Sequence, residues 1–116
     1  MRILIAEDHP ELRTLLAELL IRKGHEVVAT VNGEEALRTY SNDEGKFDLL
    51  ITDYQMPRKN GVVLIMDIRR SNPNQKVILV SGDPPQITDT IREDAGEFPI
   101  LRKPYRNEDL FDLINA

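Results

Sequence analysis

The chain of 116 residues contains no cysteine. That excludes a disulfide scaffold, a thiolate-bound zinc site and a thiol nucleophile together, and it suits a reducing compartment. Long hydrophobic runs are also missing. No stretch approaches the roughly 20 apolar residues that cross a bilayer. Arg2 opens onto an apolar segment, but Glu7 and Asp8 interrupt it too soon for a signal-peptide core. A cytoplasmic protein with no membrane contact is expected. Basic charge is in deficit: Lys plus Arg number 15 against 20 for Asp plus Glu, a net charge of -5. Neither half carries the basic stripe that a phosphate backbone attracts, so direct nucleic-acid binding is not expected. Internal repeats, low-complexity tracts and linkers are absent. No glycine-rich phosphate loop follows the first apolar run, which argues against a nucleotide-binding α/β domain.

What remains is an ordinary globular mixture, 41% hydrophobic and 30% charged. A chain of this length buries roughly two-thirds of its unfolded surface, enough for one core, so a single domain over residues 1–116 is expected, ending with its last helix and carrying no output domain. Short apolar runs occur at Ile3–Ala6, Val27–Ala29, Leu49–Thr52 and Val77–Val80, with a shorter one at Ile100–Leu101. Their length and Ile and Val content suit strands covered on both faces. Helix-period stripes lie between them. Leu12, Leu15, Leu16, Leu19 and Leu20 form the first, closed by Gly24 and expected to be core. Asn32 is placed to cap a second helix holding Ala36, Leu37 and Tyr40, and Asn60 a third holding Val63, Leu64 and Ile68. Ile87 and Ile91 share a face of a fourth, weakly patterned helix, and Leu110, Leu113 and Ile114 mark a last one. Five alternating strand–helix units predict an α/β domain: a five-stranded parallel sheet with helices on both faces.

In such sheets ligands bind beyond the carboxyl ends of the strands. Those ends carry Glu7-Asp8, Asp53, Ser81-Gly82 and Lys103-Pro104. Two carboxylates about 5 Å apart repel by roughly 3 kcal/mol at an effective dielectric near 20, so three together call for a cation or a retained proton. All-oxygen ligands without His or Cys favour a hard ion such as Mg²⁺. A metal and a lysine beside a nucleophilic carboxylate make a phosphoryl-transfer site.

Four separated motifs carry a family resemblance: Ile3-Leu4-Ile5-Ala6-Glu7-Asp8; Asp48 to Pro57 with Asn60-Gly61; Val77 to Gly82; and Lys103-Pro104-Tyr105. Over essentially its full length the chain resembles the receiver domains of two-component response regulators, similar to the chemotaxis regulator. The resemblance implies the flavodoxin-like strand order 2-1-3-4-5 and a phosphorylation-controlled switch rather than a dedicated enzyme. Asp53 would accept a phosphoryl group from a histidine kinase or histidine phosphotransferase. Asp8, Asp53 and the backbone carbonyl of Gln55 would hold Mg²⁺, with Glu7 acting largely through water. Ser81 would be the switch hydroxyl, Lys103 would pair with the phosphate, and the bond before Pro104 would be cis. A downstream partner or output domain would read the altered surface, with the chain itself monomeric or weakly dimeric. Three features depart from the family pattern: Glu7-Asp8 stands where a double Asp is common, Ile100 where an aromatic usually relays the switch, and Pro84-Pro85 follows the switch loop, stiffening the element expected to move.

Blander readings exist for each residue alone. Asp8 also suits a helix cap, Ser81-Gly82 a plain turn and Lys103 a surface cation. His9 beside the acidic pair, solvated His25 and the helix-terminal Arg69-Arg70 need no special role. Two alternative functions stay open: a receiver-shaped module that works unphosphorylated, and a small Mg²⁺-dependent aspartyl phosphatase. Gln55 stands where the phosphatase would need a second Asp.

Overall fold

A computed structural model describes residues 1–116. The strands are β1 (Arg2–Ala6), β2 (Glu26–Thr30), β3 (Leu49–Asp53), β4 (Val77–Ser81) and β5 (Ile100–Arg102). Between and after them run α1 (Pro10–Arg22), α2 (Gly33–Asn42), α3 (Gly61–Ser71), α4 (Asp89–Ala95) and α5 (Asn107–Ile114). All neighbours pair in parallel in the order β2-β1-β3-β4-β5, with Ile5 opposite Ile51 and Asp53 opposite Val80. The expected sheet and its order are therefore present. Two cores result from side-chain alternation along the strands. One holds Ile3, Ile5, Leu49, Ile51, Ile78 and Val80 with residues of α1 and α5. The other holds Leu4, Leu50 and Leu79 with residues of α2, α3 and α4.

Helix starts follow local chemistry. The side chains of Asn32 and Asn60 accept hydrogen bonds from the Glu35 and Val63 amides at 2.8 and 2.9 Å, as capping requires. For α1 the cap is His9, whose Nδ1 accepts from the Leu12 amide at 3.4 Å. The capping reading of Asp8 is thereby set aside, and its carboxylate is free of that task. The fourth helix begins later than its apolar pattern suggested: Ile87 lies outside, because Thr88 has extended backbone (φ -84°, ψ 167°) and takes the cap position. Its hydroxyl accepts from the Ile91 amide at 3.3 Å.

Three further expectations need correction. The leucine stripe of α1 is not all core: only Leu20 is fully buried, while Leu12 and Leu15 are 42% and 62% exposed. α5 spans only eight residues and leaves that face open. His25 is half-buried, with Nδ1 3.2 Å from the Met1 amino nitrogen, rather than freely solvated. Arg69 does more than complement a helix end. Its guanidinium donates to the carbonyls of Gln75, Ala95 and Glu97 at 2.7–3.1 Å, and Arg70 reaches Asp94 at 2.8 Å. Together they fasten the C-terminal end of α4 to α3.

Candidate functional site

The parallel register delivers the carboxyl ends of β1, β3, β4 and β5 to one rim. Alternation then decides which side chains face each other. Glu7 continues the Ile3, Ile5 series and Asp53 the Leu49, Ile51 series, so both point to the α1/α5 side of the sheet. Carboxylate oxygens of Glu7, Asp8 and Asp53 lie within 4.8 Å of one another. Lys103 enters from beyond β5, its Nζ 3.0 Å from Asp53 and 3.7 Å from Glu7. The peptide bond between Lys103 and Pro104 is cis, as expected. Gly61 brings the start of α3 against the same rim. A side chain there would collide with the Asp53 carbonyl, while the Gly61 amide donates to Tyr54 O at 2.8 Å.

Charge is unevenly matched. Glu7 is only 7% exposed and its carboxyl is held above the usual range. Burial is the main cause, opposed by a 3.1 Å hydrogen bond from the His9 amide and reinforced by the Asp53 charge. For Lys103, burial works against the ammonium, but the hydrogen bond and charge of Asp53, with the Glu7 charge, outweigh it and raise its pKa. Burial likewise pushes the Tyr105 phenol up, partly countered by Lys103.

Ser81 and Gln55 sit at the margin of this cluster. Ser81 ends β4 one residue beyond the partner of Asp53, is 1% exposed, and donates its hydroxyl to the Asp83 carbonyl. Gln55 is exposed and shares a small depression with Asp8 and Asn60. Sequence reasoning overlooked two residues around them. Arg13 donates to the carbonyls of Glu7 at 3.0 Å and Asp8 at 3.4 Å, bracing the turn that presents both acids. The Tyr54 hydroxyl, next to Asp53, accepts from the Gln86 amide at 3.4 Å. A cation one turn into a helix is too common a pattern to have signalled the first. The second depends on a loop path.

The donor set suits a hard divalent ion. Opposite ligands of an octahedral Mg²⁺ stand about 4.2 Å apart, close to the spread of the three carboxylates. The ensemble has no His or Cys, and water has access from the exposed Asp8 side.

Comparison with known proteins identifies the family. Residues 3–115 match the family model of the response regulator receiver domain. The chain is 36% identical over 112 residues to the DNA-binding transcriptional regulator NtrC of Azospirillum brasilense, covering 97% of this chain and 23% of that protein. It is 31% identical over 117 residues to the chemotaxis protein CheY of Thermotoga maritima, covering 98% and 94%. Among solved structures, the response regulator TrrA of Thermotoga maritima, in complex with Mg²⁺ and BeF, superposes with a TM-score of 0.83 at 31% identity, covering 98% and 96%. The chain spans about a quarter of the NtrC relatives' length but nearly all of the CheY relatives. With five parallel strands in the order 2-1-3-4-5, the acids and the lysine on one rim, and a family match over almost every residue, the chain belongs to the receiver-domain family of two-component response regulators.

Proposed function

We propose that this receiver domain is a phosphorylation-controlled switch with Asp53 as the phosphoacceptor. The observation that carries the reading is the Lys103 ammonium 3.0 Å from Asp53 and 3.7 Å from Glu7, beside a cluster of three carboxylates. An Asp53 oxygen attacks phosphorus in line with the leaving group, and Lys103 holds an equatorial phosphoryl oxygen. Asp8, Asp53 and the Gln55 carbonyl would hold Mg²⁺, and Glu7 would act through water. The ion's chemistry is to neutralise charge between the attacking and transferred oxygens. Ser81 then exchanges the Asp83 carbonyl for a phosphoryl oxygen, drawing on the segment from Gly82 to Thr88. Because Arg69 and Arg70 pin the far end of α4, the motion is confined to its N-terminal approach. The donor is a histidine kinase or histidine phosphotransferase, and the reader is a downstream partner or an output domain.

Acetyl phosphate with Mg²⁺ should add one acid-stable, base-labile phosphoryl group, detectable by intact-mass spectrometry, and Asp53→Asn should abolish it. Persistence of the label in that variant would refute the assignment. Lys103→Ala should retain Mg²⁺ binding while losing the loop response to phosphorylation; an unchanged loop spectrum would count against its role. Unphosphorylated signalling would appear as full partner binding by Asp53→Asn, and phosphatase activity as multiple turnover of ordinary phosphomonoesters.

A further inference from the structure

The proposed Mg²⁺ ligands differ in how they are held. The acids stand at strand ends, but the Gln55 carbonyl belongs to a loop. From Gln55 to Asn60 the chain has no regular secondary structure. Between its own residues this loop makes one backbone hydrogen bond, from the Lys59 amide to the Pro57 carbonyl at 2.8 Å. Arg58 sits at φ +73°, a left-handed conformation that a residue with a side chain keeps only where its surroundings hold it. The hold therefore comes from outside the loop. Arg58 meets Glu34 of α2 at 3.1 Å, but those side chains are 68% and 49% exposed, and such a pair contributes little. Lys59 meets Asp67 of α3 with side chains only 20% and 19% exposed. Removing one partner of so sheltered a pair leaves the other charge uncompensated, so this is the stronger anchor. Both of its ends are fixed. The other Asp67 oxygen accepts from Arg70 at 3.1 Å, and Arg70 also holds Asp94. The Lys59 backbone lies against Gly33, where any side chain would collide with the Lys59 carbonyl.

We propose that Lys59 is a positioning residue for the metal: by clamping its loop to Asp67, it sets the Gln55 carbonyl where a divalent cation on Asp8 and Asp53 can use it. The inference rests on the reading of this rim as a Mg²⁺ site. Gln55, Met56 and Pro57 of the clamped loop line the same depression as Asp8, so a shift of the loop moves one wall of that site. The Lys59 ammonium meets Asp67 and none of the three clustered acids. It therefore acts through the backbone, and its charge is matched where it stands. The effect has a definite sign. A cation acting on the site by charge alone would repel Mg²⁺, and its removal would tighten binding. Loss of a clamp weakens binding instead, because a ligand on a loop is precise only when supporting contacts hold it.

The test is Mg²⁺ affinity by isothermal titration calorimetry for the wild type, Lys59→Met, Asp67→Asn and Lys59→Arg. Thermal melting without metal checks that each is folded at the titration temperature. Outer partners of metal ligands typically change affinity 10–100-fold, and a clamp acting through a loop should reach the low end of that range. Lys59→Met and Asp67→Asn should therefore each weaken Mg²⁺ about tenfold. Lys59→Arg keeps the charge and the reach and should bind nearly as the wild type does. The loss in Asp67→Asn, relative to wild type, should persist in about 1 M KCl, where the screening length is about 3 Å, because salt does not restore a displaced loop. If Lys59→Met does not fold, that salt comparison decides alone. Tighter binding by Lys59→Met, or a loss in Asp67→Asn that vanishes in salt, would reveal a charge effect and overturn the inference. Lowered melting midpoints with unchanged affinities would overturn it too, as the mark of a purely structural pair. Absence of Mg²⁺ binding in the wild type would instead sink the metal reading, and the clamp with it.

Discussion

The two rims of the sheet handle charge in opposite ways. At the amino-terminal rim, Arg2 sits among acids that each meet a donor. Its guanidinium reaches Glu26 and Asp43 at 2.7 Å and the Lys46 carbonyl at 2.9 Å, its amide reaches Asp48 at 2.6 Å, and its plane lies 4.3 Å over the Phe47 ring. The hydrogen bond and charge of Asp43, aided by Glu26, raise the pKa of that guanidinium against the effect of burial. At the carboxyl-terminal rim, Glu7, Asp8 and Asp53 cluster together, Lys103 reaches only Asp53 and Glu7, and the nearby Arg13 spends its donors on backbone carbonyls. Acids are frequent at both rims, so composition does not separate them. A rim whose charges are matched within the fold is structural. One left with surplus negative charge is built for something outside the chain, and a divalent cation fits that surplus.

Exchanging the injuries tests this contrast most sharply. Asp53→Asn should remove all phosphoryl labelling with little change in the unfolding midpoint, whereas Arg2→Met should lower the midpoint and leave labelling intact. The two rims would lose their distinction if Arg2→Met abolished labelling in a folded protein. Next in size is the metal effect. At about tenfold its dissociation constant, Mg²⁺ should stabilise the protein by about 1.4 kcal/mol. Arg2→Met should keep that increment and Asp8→Asn/Asp53→Asn should lose it, as read by denaturant titration with and without the ion.

The smallest effect concerns pH. A carboxyl whose pKa is higher folded than unfolded binds more protons in the folded state between those two values. Its contribution to stability therefore falls as pH rises through that window. Without metal, Glu7 should make the protein progressively less stable from the ordinary carboxylate range up to its raised value. Glu7→Gln should flatten that part of the curve and be the more stable form at neutral pH. A parallel pH profile for the variant would show that Glu7 is not the strained member of the cluster. Glu26→Gln at the opposite rim should leave the shape of this window unchanged.

Much of the fold was visible in local pattern. Each apolar run became a strand with at most one added residue at either end, because covered parallel strands must be apolar on both faces. Asn32 and Asn60 announced their helices through capping chemistry that acts over three residues. Where the pattern misled, a neighbour distant in sequence was responsible. The α1 leucines have helical period, yet burial of Leu15 would need a longer or closer α5. Arg69 looked like a simple dipole partner because its acceptors lie in the β4 approach and beyond α4, up to 28 residues away. For the site, the acids, the lysine and the serine were identifiable from their strand-end positions. The bracing by Arg13 and the turn of the Ser81 hydroxyl toward Asp83 were not.

The amino-acid sequence alone determined which elements form and which chemical groups stand at their ends, since propensity, periodicity and capping act within a few residues of the chain. Tertiary structure decided which of those groups face each other and which leucines stay in water. Those outcomes depend on strand order, register and the spacing of α1 from α5, and no local segment encodes a distance to a partner it has yet to meet.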